Sequence, residues 1–92
     1  MGVESLASAT RSNSWSSYSS EINLLAARTG QGTGGIGGPC RLIRIGGDGN
    51  LAVRYADGTE ELIPSLLAGE TLPIIATAII SGTTVTNFTA FL

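Results

Sequence analysis

Few residues in this sequence are able to do chemistry. It has no histidine, and its five basic side chains, Arg11, Arg28, Arg41, Arg44 and Arg54, are all arginines. The commonest general base, the Schiff-base nucleophile and the usual transition-metal ligand are therefore missing. Carboxylates remain, but Glu60 and Glu61 are adjacent. On a strand, neighbours point to opposite faces, so the two cannot serve one substrate as acid and base. As charges on a strand edge they would discourage unwanted pairing. Asp48 and Asn50 form an oxygen-rich turn with Gly46, Gly47 and Gly49, without the spaced acidic ladder and distal glutamate of a calcium loop. Cys40 has no second thiol to bond and no histidine to activate it, so it reads as a buried, unreactive thiol. Gly30 to Gly35 formally spells GxGxxG. No convincing strand precedes it, and Gly37-Gly38-Pro39 forbids the helix that a dinucleotide loop requires. No catalytic residue, cofactor or metal site is expected.

The elements that would have to position any site are limited by length. Ninety-two residues make one domain at most, and a chain of this size buries roughly 60 to 65% of its unfolded surface. Thirteen glycines and a run of serines cannot fill a core, so oligomerisation is one route to stability. Only 13% of the residues are charged and the mean hydropathy is +0.28, which predicts apolar surface covered by partners. The net charge is −2 and the arginines are scattered. Neither nucleic acid nor an anionic membrane is an expected partner, because phosphate recognition needs a clustered basic face. The apolar run Leu72 to Ile80 is too short to span a bilayer.

Composition divides the chain near residue 39. Residues 1–20 hold eight serines with Trp15 and Tyr18, and Thr29 to Pro39 is rich in glycine, so 1–38 reads as an extended N-terminal arm and flexible linker. Aromatic residues in such an arm would anchor it in a neighbour's groove. Ile22 and Leu24 lie in a segment too short for periodicity to separate strand from helix. Residues 39–92 read as strand, turn, strand. Arg41 to Ile45 and Asn50 to Tyr55, joined by Gly46 to Gly49, predict one hairpin, with Leu51, Val53 and Tyr55 on one face. Asp57-Gly58 predicts a type I′ turn into Thr59 to Ile63, with Pro64 ending the strand. Ser65 to Glu70 reads as a loop with an apolar tip at Leu66 and Leu67, Thr71 to Ser81 as a long strand buried on both faces, and Thr84 to Leu92 as a closing strand carrying Phe88 and Phe91. The expected fold is all-β: a small antiparallel sandwich or partly open barrel, jelly-roll-like only if the arm adds strands.

Within residues 40–92, Arg41 to Val53, Ala56-Asp57-Gly58-Thr59, Ala68-Gly69-Glu70-Thr71-Leu72-Pro73-Ile74 and Ser81 to Asn87 follow one another in an order that resembles the head spike base proteins of gene transfer agents and their tailed-phage relatives. The Ser-rich arm and the glycine linker lie outside this resemblance. It implies a small β-sheet subunit that oligomerises on the capsid, contacts the major capsid protein and carries a fibre or spike. It brings no catalytic residues.

The expected role is therefore that of a virion structural protein on the capsid exterior, made in the cytoplasm of a bacterial host. It would act as a pentameric spike base or a trimeric decoration (cement) subunit. The alternatives are a tail-associated adaptor or fibre-attachment protein and, from another class, a small soluble ligand-binding module. Trp15, Tyr18, Ile22, Leu24, Leu66, Leu67, Phe88 and Phe91 are the expected interface residues.

Overall fold

The computed structural model describes residues 11–92. Ten strands follow in order: β1 (Ser12–Trp15), β2 (Ile22–Asn23), β3 (Arg28–Gly30), β4 (Thr33–Gly34), β5 (Leu42–Arg44), β6 (Gly49–Tyr55), β7 (Glu60–Leu66), β8 (Thr71–Leu72), β9 (Ala76–Ile79) and β10 (Phe88–Phe91). Eight of them build two four-stranded sheets, ordered β1-β10-β5-β8 and β2-β9-β6-β7, and every pairing is antiparallel. β3 and β4 form a separate two-stranded ribbon. With the ribbon set aside and the rest counted in chain order, the sheets read 1-8-3-6 and 2-7-4-5, which is a complete jelly roll of two interlocked Greek keys. The inner faces fill one core, with Trp15, Ile43, Phe88 and Ala90 from one sheet against Ile22, Leu51, Val53 and Ile79 from the other.

The first half of this jelly roll comes from the residues read as an arm and linker. β1 pairs with β10 over four residues, from Ser12 opposite Phe91 to Trp15 opposite Phe88, and β2 pairs with β9. Residues 11–38 therefore belong to the same folded unit as residues 39–92, and the boundary expected at residue 39 is not a domain boundary. The physical reason lies in Trp15. Its indole stacks on Phe88 with ring centroids 5.7 Å apart, and burying so large a ring drives a serine-rich strand onto the sheet despite its weak propensity. The portion of the arm in residues 1–10 lies outside the described residues.

The glycine linker is likewise ordered as the β3–β4 ribbon. It lies beside the first strand and is held there by Asn13, a buried side chain. Asn13 Nδ2 donates to the carbonyls of Gly30, Thr33 and Gly35, and its Oδ1 accepts from the N–H groups of Ser14 and Gly32. A methyl group on Gly35 would collide with the carbonyl oxygens of Asn23 and Ala26, so close backbone approach accounts for glycine here.

The β6–β7 hairpin forms as the alternation predicts, with Leu51 and Val53 buried and Tyr55 half-buried against the core. Its turn is different in type. Gly58 N–H donates to Tyr55 C=O, and among residues 56–58 only Gly58, at φ +91°, has positive φ. That is a type I turn closed by a glycine bulge rather than type I′. Pro64 does not end the strand. It lies within β7 at the sheet edge, in the register shift between the Leu51–Ile63 and Gly49–Leu66 pairs, and edge strands and bulges are where a sheet tolerates proline. The expected hairpin between residues 41–45 and 50–55 is absent: β5 pairs with β10 and β8, and β6 pairs with β7 and β9. Gly46 to Asp48 instead carry the chain from one sheet to the other. The long strand expected over residues 71–81 is divided in the same way. Thr71–Leu72 joins β5 and Ala76–Ile79 joins β6, with Pro73 at the crossing.

Candidate interaction surface

The jelly roll sorts its connections to two ends. Ile45 N–H donates to Glu70 C=O, Gly47 N–H to Thr86 C=O and Asn87 N–H to Ser16 C=O, which gathers the links around residues 16–21, 45–48, 67–70 and 80–87. At the opposite end, Leu24 N–H donates to Thr77 C=O, Cys40 N–H to Ala76 C=O and Leu92 N–H to Arg11 C=O. The polar residues of the first end are structural. Asp48 Oδ1 accepts from Ala68 N–H, Glu70 Oε1 from Leu67 N–H and Asn50 Oδ1 from Ser65 N–H. The oxygen-rich turn thus ties one connection to the next. Among the described residues, no three of the Cys, Asp and Glu side chains gather where one metal ion could reach them.

Most of the residues expected at an interface are in the chain's own core. Trp15, Ile22, Leu24, Leu66 and Phe88 are buried within the single chain, and Tyr18 is half-buried against that core. For Trp15, Tyr18, Ile22, Leu24 and Phe88 the cause is that the arm is part of the sandwich, so its apolar residues have intramolecular partners; Leu66 ends β7 pointing into the same core. Leu67 alone of the eight is largely exposed, at 61%, while Phe91 is half-buried on an outer face. Three further exposed apolar residues went unrecognised in the sequence: Leu25, Leu62 and Ile75. For Leu62 a signal was present, since it alternates with Glu60 and must share its outward face.

The two outer faces differ in charge. On the β2-β9-β6-β7 sheet, Arg54 lies between Glu21 and Glu60, at 2.9 and 3.0 Å. These hydrogen bonds raise the arginine's already high pKa further. Leu62 stands two residues along β7 from Glu60, its Cδ1 beside the Gly82 turn. On the β1-β10-β5-β8 sheet, outward residues form two rows: Ser12, Phe91 and Leu42, then Ser14, Thr89, Arg44 and Thr71. The Ser14 and Thr89 hydroxyls share a 2.7 Å hydrogen bond. Neither row contains a carboxylate, and within the described residues Arg44 has no ion-pair partner.

Two open clefts of about 230 and 290 Å³ flank Trp15. Serine and asparagine side chains dominate their walls, with Gln31 and Thr89 in the second and Glu21 in the first. Among the described residues the one carboxylate lining these clefts, Glu21, is held by Arg54. Cys40 is enclosed beneath β9, its thiol directed at the carbonyl of Ile74, and burial raises its pKa. Comparison of the chain with family models, with curated proteins and with solved structures finds no match.

Proposed function

We propose that this chain is a non-enzymatic structural subunit of a phage virion, standing on the capsid exterior as a spike base or decoration subunit bound to the major capsid protein. The observation that carries the reading is apolar surface left outside a completed core. Leu25, Leu62, Leu67 and Ile75 each remain at least half exposed while both inner sheet faces are filled. In a chain with so few charged residues, covering by neighbouring subunits accounts for these side chains. Jelly rolls serve viral capsids, lectins and cupins alike, so the fold does not choose among them. Placement on a capsid rests on the resemblance of residues 40–92 to head spike base proteins, which spans β5 to β10.

The test uses particles from cells lacking the gene, incubated with purified full-length chain and separated by density. The expected result is comigration with heads. Comigration with tails alone would assign it to a tail adaptor, and absence from every particle fraction would overturn the reading.

A further inference from the structure

The outer faces of the two sheets match each other better than either matches itself. On β5, Leu42 and Arg44 are two residues apart and point outward, on either side of the buried Ile43. On β7, Leu62 and Glu60 are likewise two residues apart on the outward face, opposite Ala52 and Arg54. Each face thus presents a leucine and a charge about 7 Å apart along a strand, and the charges are opposite. Phe91 extends the apolar part of the first face, directly beside Leu42. The turn at Gly82 flanks Leu62 on the second.

Asp48, four residues along the chain from Arg44, and Glu70, which precedes the Thr71 that pairs with Arg44, each accept a backbone hydrogen bond from the 67–70 connection. On the other face, Glu21 and Glu60 share the single guanidinium of Arg54 and leave an excess of one negative charge. Pairing like faces about a twofold axis would bring together two faces that both carry the positive charge of Arg44, or two that both carry the excess negative charge. Pairing unlike faces sets Arg44 toward Glu60 with leucine against leucine.

We propose that copies of this chain associate front to back, the Leu42–Arg44–Phe91 face of one copy against the Glu60–Leu62 face of the next. The occupant of each face is a second copy of the chain. Such a contact is heterologous, so it propagates until it closes into a ring or runs on as a stack. The inference rests on the assembly reading and deepens it by naming one contact between copies; it is tested on the isolated chain, so its failure leaves attachment to a capsid standing.

Sedimentation of the full-length chain over a concentration series gives the association constant. Arg44→Glu should weaken association at least about tenfold, a modest loss for a close interfacial charge pair. Glu60→Gln should weaken it too, and raised salt should act in the same direction. The double variant Arg44→Glu with Glu60→Arg should regain association that Arg44→Glu alone has lost, because only a heterologous contact brings the two positions together. Melting curves accompany each variant to establish that it is folded; should the double variant unfold, mixing the single variants Arg44→Glu and Glu60→Arg reads the same complementarity. A chain that stays monomeric to its solubility limit overturns the proposal. So does an association that Arg44→Glu leaves unchanged, or one that the double charge reversal does not restore.

Discussion

The backbone N–H of Gly32 donates to Oδ1 of Asn13 at 2.9 Å, tying the tip of the β3–β4 ribbon to the first strand of the sandwich. The same side chain serves four other backbone groups, three of them carbonyls of the ribbon and the residue after it. Asn13→Ala would leave several buried groups without partners and should destabilise the chain by about 3 kcal/mol. Asn13→Asp should be worse, because an oxygen replaces the donor facing the carbonyls of Gly30, Thr33 and Gly35. Denaturant unfolding measures both. A loss under about 1 kcal/mol for the alanine variant would contradict this role.

Deleting residues 1–38 removes β1 to β4 and uncovers Phe88, which stacks on Trp15. The remaining chain should lose cooperative unfolding and bind a hydrophobic dye. A sharp thermal transition in the 39–92 fragment would show that the second half folds alone.

What the sequence disclosed and what it concealed follow one rule. The β6–β7 hairpin was legible because the larger Leu51, Val53 and Tyr55 alternate with Asn50, Ala52 and Arg54 and Asp57-Gly58 marks the turn. All-β architecture followed from such runs. β1 was hidden because Ser12, Asn13 and Ser14 have poor strand propensity, and only tertiary burial of Trp15 makes them a strand. The ribbon was hidden because glycine reads as flexible unless a partner such as Asn13 fixes it. The crossings at Gly46 to Asp48 and at Pro73 were hidden because a chain that changes sheet uses the same residues as a hairpin turn or a strand edge. Leu24 and Phe88 were misread for a related reason: they have the composition of anchors, and only topology reveals that their partners are in the same chain.

Cys40 should be silent in the native state. Its thiol is enclosed and burial raises its pKa, so the neutral form is favoured and the stabilisation is present below the ordinary thiol range. That stabilisation is lost as pH rises through the raised value. Alkylation at neutral pH should proceed only as fast as the chain opens, and become immediate in denaturant. Rapid labelling of the folded chain would contradict its enclosure.

Asp57 gives the β6–β7 turn an acid dependence. Its Oδ1 accepts from both the hydroxyl and the N–H of Thr59, at 2.6 and 3.0 Å, which lowers its pKa. A carboxyl that titrates lower in the folded chain contributes stability above its unfolded pKa, and that contribution disappears as pH falls through the lowered value. The difference in melting temperature between the native chain and Asp57→Ala should therefore be present at neutral pH and shrink on acidification. A difference that grows on acidification would reverse the assignment.

The central claim is that this jelly roll acts by being built into a particle. A reconstruction of the virion at side-chain resolution tests it most directly. The account predicts density for the eight-stranded sandwich outside the capsid shell, with Leu62 or Leu67 covered by a neighbouring subunit. Particles that carry no copy of the chain would contradict it, as would copies attached with both leucines open to solvent.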